Sequence, residues 1–231
     1  MELLALAVAP VLICVFYVYI RDKYEKEPIK LLAVGVVLGV AITFPIVQTE
    51  NFVMRFTPDS GVLAESFFLS FVNASLVEEA FKFAILFFLI WRNRNFNERF
   101  DGIVYAVFIS LGFAGLENVL YVFNPDMGGA ETALARAVFS VPGHALFGVA
   151  MGFYFAMARF AEAPKARRAW YFSMALAVPL LLHGVYDFIL MSDMPYLMVV
   201  FVLYVVYLWI NGLRQMRIHV GASPFKALRR G

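Results

Sequence analysis

Long apolar segments alternate with short charged segments along almost the whole chain. Seven of the apolar segments are predicted to form helices, roughly at 3–20, 31–48, 63–90, 102–123, 133–158, 169–191 and 195–212. A helix of ~20 apolar residues is long enough to cross the hydrocarbon core of a bilayer. Repeated runs of this kind do not occur in ordinary soluble domains. The pattern therefore predicts an all-α polytopic membrane protein with about seven transmembrane helices.

Composition agrees with this class of protein. The chain has 231 residues, of which 62% are hydrophobic and 16% charged. Cys14 is the only cysteine, so a disulfide within the chain and a thiolate metal site are both excluded. The first segment is not typical of a cleavable signal peptide, because Glu2 stands where a basic region is expected and the charges follow the apolar run. We expect a multi-pass protein of the cell membrane that contacts the lipid bilayer and no nucleic acid.

The basic residues are distributed unevenly among the connections. The connections 21–30, 91–101 and 159–168 and the chain from Asn211 onward hold 16 of the 19 lysines and arginines. By the positive-inside rule, these parts lie in the cytoplasm, so the N-terminus is predicted outside and the C-terminus inside. Residues 213–231 are predicted to form a basic cytoplasmic tail on anionic lipid, with His219 solvated.

Ionisable residues occur inside four consecutive apolar segments, the third to the sixth. A charge at the centre of a bilayer costs at least ~2.5–3.5 kcal/mol, so such residues usually face the interior of the helix bundle and have a function. They are Glu78, Glu79, Lys82, Glu117, His144, His183 and Asp187.

The depths of these residues in the membrane are predicted to match. Counted from the cytoplasmic end of each helix at 1.5 Å per residue, Glu79 lies ~18 Å deep, Glu117 and His144 ~22 Å, and His183 ~20 Å. In a hydrocarbon core ~30 Å thick, these depths fall slightly beyond the midplane. Within the third and sixth helices, charged residues four positions apart share one face. The sequence therefore predicts one cluster of ionisable side chains.

The polar motifs resemble those of the PrsW family of membrane proteases, which are distant relatives of the CAAX prenyl proteases. In chain order the motifs are "EEAFK" with Glu78, Glu79 and Lys82, "FAGLE" ending at Glu117, the segment around His144, and "HGVYD" from His183 to Asp187. "YEKEP" in the first connection also resembles a family feature, with a solvated loop as the alternative interpretation. In one departure, Phe139 stands five residues before His144, where the family has a spacing of four.

The resemblance implies a protease domain over residues 1–212 that cleaves a membrane-anchored protein substrate. Within the family, the known kind of substrate is an anti-sigma factor, whose regulated proteolysis starts an envelope-stress response. All seven ionisable residues of the predicted cluster are then candidate catalytic residues. A proton- or cation-coupled transporter that uses the same cluster as a relay is the competing interpretation.

The charge of the cluster suggests a metal-assisted mechanism. Four ionised carboxylates and one lysine give a formal charge of −3, which is unfavourable in a medium of low dielectric constant. Protonation of carboxyl groups is one remedy, and a divalent cation such as Zn²⁺ is another. The predicted metal ligands are His144, His183 and one or both of Glu117 and Asp187.

The roles of the helix-three residues depend on which mechanism applies. With a metal, Glu78 is the predicted general base, Glu79 supports the metal site or the oxyanion, and Lys82 compensates charge. In a glutamate-type mechanism without a metal, Glu78 and His144 share the activated water. His183 then steadies the oxyanion.

Reporter fusions test the predicted orientation. Fusions at residues 27, 96 and 164 and in the tail are expected to report the cytoplasm, because these segments hold most of the lysines and arginines. A reporter at residue 96 that is active only outside the cytoplasm would contradict the arrangement of seven spans.

Overall fold

The computed structural model describes residues 1–227, and the regular secondary structure of this part is helical throughout. Arg229 and Arg230 of the predicted tail lie outside the described residues. We number the long helices α1 (Glu2–Arg21), α2 (Ile29–Val53), α3 (62–90), α4 (Arg99–Val122), α5 (Ala130–Phe160), α6 (Lys165–Met191) and α7 (Leu197–Gly221). Short 3₁₀ turns follow α2 and α7, at Met54–Phe56 and Pro224–Lys226.

Six of these helices are long and apolar enough to cross a membrane: α1, α2, α4, α5, α6 and α7. The remaining helix, α3, has comparable length but contains Glu65 and the charged residues of the "EEAFK" motif. An all-helical, multi-pass membrane protein is therefore confirmed.

Two helices are wound more loosely just before their predicted site residues. In α3, the π-helical stretch Phe68–Ser75 separates the α-helical segments Val62–Phe67 and Leu76–Ile90. In α5, the π-helical stretch Arg136–Ser140 lies directly before Val141–Phe160. π-Helical turns are rare in proteins as a whole, but many of those that occur are at functional sites. The wider turn changes the direction in which the following side chains point.

Helix α4 forms the centre of the bundle. Every residue from Phe100 to Ala114 is buried, and α4 packs most extensively against α2 and α5. Glycines allow the backbones to touch: a Cβ on Gly39 of α2 would lie 2.1 Å from the carbonyl oxygen of Ile109. A Cβ on Gly152 of α5 would lie 2.2 Å from the carbonyl oxygen of Gly102. These close approaches are typical of membrane helices that associate through small residues.

Helix α7 continues to Gly221 instead of ending near residue 212. Its last turns cover the beginning of α4, and His219 is fully buried there. The His219 ring stacks on Phe153, with centroids 4.3 Å apart, and its Nδ1 lies 3.0 Å from the carbonyl oxygen of Arg99. The expectation of a solvated His219 was wrong, because the helix extends past the predicted boundary and packs on its neighbours.

The first connection, residues 22–28, is folded against the start of α4. Asp22 and Glu27 are buried, and the hydroxyl of Tyr105 donates a hydrogen bond to Glu27. Burial raises the pKa of Asp22 to about 7 and that of Glu27 to about 7. The alternative interpretation of "YEKEP" as a solvated loop was therefore wrong for Glu27.

Candidate active site

Lys82 lies at the centre of the polar cluster. Its Nζ is 2.9 Å from Glu78 Oε2, 2.8 Å from Glu79 Oε1 and 3.3 Å from His144 Nδ1. The two carboxylates belong to the preceding turn of the same helix, at the i−4 and i−3 positions that place side chains next to each other. The face of the Phe113 ring lies 4.4 Å from Nζ and adds a cation–π contact. Lys82 is only 1% exposed, and its ammonium group is paired with protein groups on several sides instead of with water.

His144 links this centre to α4. Its Nδ1 faces Lys82, and its Nε2 lies 3.0 Å from Glu117 Oε2. Arg136 donates to the same carboxylate oxygen at 2.7 Å and, through Nε, to Asn118 Oδ1 at 2.9 Å. Asn118 in turn donates to the carbonyl oxygen of Ala7 at 2.7 Å. A continuous chain of hydrogen bonds therefore connects α3, α5, α4 and α1.

His183 lies between two carboxylates. Its Nδ1 is 3.1 Å from Glu79 Oε1, and its Nε2 is 3.1 Å from Asp187 Oδ2. The Phe147 ring stacks on the imidazole, with centroids 4.8 Å apart. A carboxylate only accepts hydrogen bonds, so both contacts require a second proton on the ring, a proton on one carboxyl group, or a cation between the ring and Glu79.

The structure brings all seven predicted site residues together. Contacts of 2.8–3.3 Å join Lys82 to both glutamates of α3 and to His144, His144 to Glu117, and His183 to Glu79 and Asp187. The matched depths along four helices produce this convergence, since side chains at one level of a bundle meet when they face its interior.

A cavity of about 760 Å³ borders the cluster. Glu78 lines this cavity together with both histidines, Glu117 and Asp187, whereas Glu79 and Lys82 are not among the lining residues. Of the two adjacent glutamates, Glu78 is therefore the one that a substrate or a water molecule in the cavity can reach. Glu79 lies behind it, fully buried.

The cavity wall also contains polar residues that the sequence did not predict for the site, among them Glu50, Asn73 and Arg136. Arg136 is one of the few basic residues outside the basic connections. This unusual position was the feature of the sequence that could have indicated a role for Arg136 in the site. Its ion pair with Glu117 removes one negative charge from the cluster, while Glu50 adds a further carboxyl group to the cavity wall. Asn73 belongs to the π-helical stretch of α3, five residues before Glu78.

The spacing of Phe139 and His144 has a structural explanation in the winding of α5. Phe139 belongs to the π-helical stretch, in which each turn contains about one residue more than an α-helical turn. The extra residue between the two is accommodated there, and both residues line the cavity. The departure from the family spacing therefore does not remove His144 from the site.

The donor atoms of the cluster are of the kinds that bind a divalent metal, and the Lys82 ammonium group contacts three of the four residues that offer them. Glu78, Glu79, His144 and His183 each offer one ligand atom, and these atoms lie within 4.8 Å of one another. Two imidazoles with carboxylates are a usual zinc ligand set. One further acceptor, Glu79 Oε2, is buried without a hydrogen-bond partner.

Glu117 and Asp187, which the sequence analysis predicted as metal ligands, lie on the far side of the two imidazoles. Each accepts a hydrogen bond from the Nε2 of one histidine, while the Nδ1 atoms face α3. Carboxylates in this position orient ligating histidines and fix their tautomer. The geometry therefore favours an orienting role for these two residues.

A multi-pass helical protein with a buried carboxylate–histidine cluster beside a cavity has the arrangement expected of an intramembrane hydrolase. The chain matches the family described as PrsW family intramembrane metalloprotease over residues 27–210. It is 38% identical over 210 residues to Protease PrsW of Clostridioides difficile (strain 630), covering 90% of this chain and 87% of that protein. It is 41% identical over 217 residues to Protease PrsW of Bacillus subtilis (strain 168), covering 93% and 94%. No solved structure matches the chain.

The chain therefore belongs to the PrsW family of intramembrane proteases, and the resemblance seen in its motifs is confirmed. Its curated relatives are named as proteases, which supports a peptidase over the competing transporter interpretation. The description of the family as metalloproteases agrees with the presence of a cluster able to hold a metal.

Proposed function

We propose that the protein hydrolyses a peptide bond of a membrane-anchored protein with a water molecule activated by Glu78. The observation that carries this proposal is the position of Glu78 on the cavity wall beside both histidines. Its Oε2 lies 4.0 Å from His144 Nδ1 and 3.9 Å from His183 Nδ1. A water molecule among these groups is within reach of a base and of two imidazoles.

The proposed metal ligands are His144, His183 and Glu79, and the metal is Zn²⁺ or another divalent cation. When bound, the metal supplies an acidified water and polarises the scissile carbonyl group. Glu117 and Asp187 accept hydrogen bonds from the two Nε2–H groups, which leaves both Nδ1 lone pairs directed toward α3. In this proposal Glu79 is a ligand in place of Glu117 and Asp187. The second carboxylate oxygen of Glu79 has no hydrogen-bond partner.

Different side chains of the protein are assigned to the separate steps of hydrolysis. Glu78 accepts a proton from the attacking water, whose oxygen bonds to the carbonyl carbon, and later donates this proton to the amine released when the C–N bond breaks. Asn73 lines the same cavity and is assigned as a donor to the oxyanion. Lys82 offsets the negative charges of Glu78 and Glu79 within the buried site.

The proposed topology has seven spans, including α3, with the N-terminus outside and the C-terminus in the cytoplasm. The cavity also borders Met54, Asn124 and Met191, which lie at connections poor in basic residues. A scissile bond in the outer half of the membrane or close to its outer surface fits this position. Together with the family resemblance, this position supports site-1-type cleavage of a membrane-anchored anti-sigma factor as the class of reaction.

Substitution of Glu78 tests the proposed general base. Glu78→Gln is expected to lower turnover at least ~10²-fold, because it keeps the shape of the side chain but cannot accept the proton. The measurement is cleavage of a membrane-anchored substrate by purified protein, with thermal unfolding as a check on folding. Glu65→Gln is the matched control, since Glu65 is an exposed carboxylate of the same helix. Normal cleavage by Glu78→Gln together with loss of cleavage in Glu79→Gln would show that the two roles are reversed.

Measurement of bound metal in the purified protein, and substitution of Asp187, test the proposed metal site. Purified protein is expected to contain bound metal, to lose activity with a chelator and to regain it with Zn²⁺, while His144→Ala and His183→Ala lose both metal and activity. Asp187→Asn is expected to weaken metal binding ~10–100-fold, because Asp187 acts only through His183. Glu162→Gln, in an exposed loop, should change neither property. Active protein with less than stoichiometric metal and no response to chelator would contradict the metal assignment and leave the protease assignment intact.

A further inference from the structure

A second group of carboxylates lies at the other end of α4 from Glu117. Glu25 and Glu27 of the first connection and Asp101 of α4 each place one carboxylate oxygen within 4.8 Å of the others. We call these three residues the loop cluster. Asp101 and Glu117 are separated by 16 positions on α4, which corresponds to ~24 Å along the helix axis. The loop cluster is therefore separate from the proposed active site.

In each carboxylate of the loop cluster, a donor fixes one oxygen. Asp101 Oδ2 accepts from the backbone N–H groups of Asn97 and Glu98 at 2.9 and 2.8 Å. One oxygen of Glu27 accepts from the Tyr105 hydroxyl, and Glu25 Oε1 lies 3.5 Å from the Asn97 side-chain amide. The carboxylates of Glu27 and Asp101 are thus held by neighbouring groups, and that of Glu25 lies beside the Asn97 amide.

The other oxygen of each carboxylate is buried and meets no donor group of another residue, while the carboxyl groups of Glu27 and Asp101 are close enough to share a proton. The three oxygen atoms are Glu25 Oε2, Glu27 Oε1 and Asp101 Oδ1. Glu27 is 2% exposed, and Asp101 is fully buried. An unpartnered buried acceptor is costly, and an unpartnered buried charge costs more. A bound cation would satisfy these carboxylates, and a proton shared between Glu27 and Asp101 is the alternative.

Two further carboxyl groups, Asp22 and Glu98, lie in this region and interact electrostatically with the loop cluster. Asp22 Oδ1 and Glu98 Oε2 are also buried without a partner. Lys26 is close enough to act on Asp22 electrostatically, but its ammonium group donates to the carbonyl oxygen of Tyr19 and lies over the Tyr19 ring. The hydrogen bonds of Lys26 are thus directed away from the loop cluster.

We propose that Glu25, Glu27 and Asp101 bind one hard divalent cation, Ca²⁺ or Mg²⁺, which fastens the first connection to the start of α4. Carboxylate oxygens are the ligands that these ions prefer, and water completes their coordination. The absence of imidazole and thiolate donors from the loop cluster distinguishes it from the zinc-type set at the active site. Binding to the folded protein alone would stabilise the bundle through linkage.

Cation binding by purified full-length protein in detergent tests the proposal. After removal of metals, radiolabelled Ca²⁺ is titrated by equilibrium dialysis, with Mg²⁺ and Zn²⁺ as competitors, and the thermal unfolding midpoint is recorded with and without Ca²⁺ or Mg²⁺. We expect one saturable site that Zn²⁺ does not preferentially occupy and that His183→Ala does not affect. Glu25→Gln and Glu27→Gln are each expected to weaken binding at least ~10-fold and to remove the cation-dependent rise of the midpoint.

Glu162→Gln is the matched control, because it removes one carboxylate charge from another connection, where the side chain is exposed. Glu25 is only partly buried, so Glu25→Gln keeps the test valid should Glu27→Gln not fold. Equal affinity in wild type, Glu25→Gln and Glu27→Gln would overturn the proposal. The absence of cation binding by the wild-type protein would also overturn it. If, in addition, Glu27→Gln had a higher thermal unfolding midpoint than wild type in metal-free buffer, a proton held between Glu27 and Asp101 would be indicated instead.

Discussion

The buried ammonium group of Lys82 is the interaction on which the active site depends. Two adjacent glutamates inside an apolar bundle would repel each other and would lose most of the hydration that stabilises an ionised carboxylate. Lys82 is held within 2.9 Å of both by the geometry of a single helix, so the compensation does not depend on any other part of the fold. The same ammonium group also reaches His144 and so links α3 to α5.

The rest of the site repeats this principle of paired charges. Arg136 compensates Glu117 as Lys82 compensates the glutamates of α3. His183 bridges Glu79 and Asp187, and His144 lies between Lys82 and Glu117. Contacts of this length between different helices require that their backbones approach closely. The glycines between α2, α4 and α5 permit that approach, and the π-helical stretches of α3 and α5 set the direction of the site residues that follow them.

Much of this arrangement was predictable from the sequence. The helices follow from apolar segment length, and the convergence of the seven residues follows from their equal depth, because polar side chains at one level of a bundle are driven to one another by the cost of facing lipid. The ion pair of Glu78 with Lys82 and the contact of His183 with Asp187 follow from i,i+4 spacing.

Other features depend on information that a single sequence does not contain. Which ring nitrogen faces which carboxylate depends on how each helix is rotated, and a π-helical turn changes that rotation without a clear sequence signal. Arg136 reaches Glu117 from such a turn. The packing of His219 and Glu27 depends on contacts between distant parts of the chain, where local charge patterns suggest only a solvated tail and loop.

A double-mutant cycle between Lys82 and Glu79 measures how strongly the buried ammonium group and carboxylate stabilise each other. The thermal unfolding of wild type, Lys82→Met, Glu79→Gln and the double variant is measured in detergent, where residues in contact are expected to be non-additive by about 0.5–3 kcal/mol. If the ammonium group offsets the cost of burying the carboxylates, Lys82→Met should lower the stability strongly. The added Glu79→Gln substitution should then restore part of the lost stability. Additive effects of the two substitutions, or a Lys82→Met protein as stable as wild type, would contradict the account.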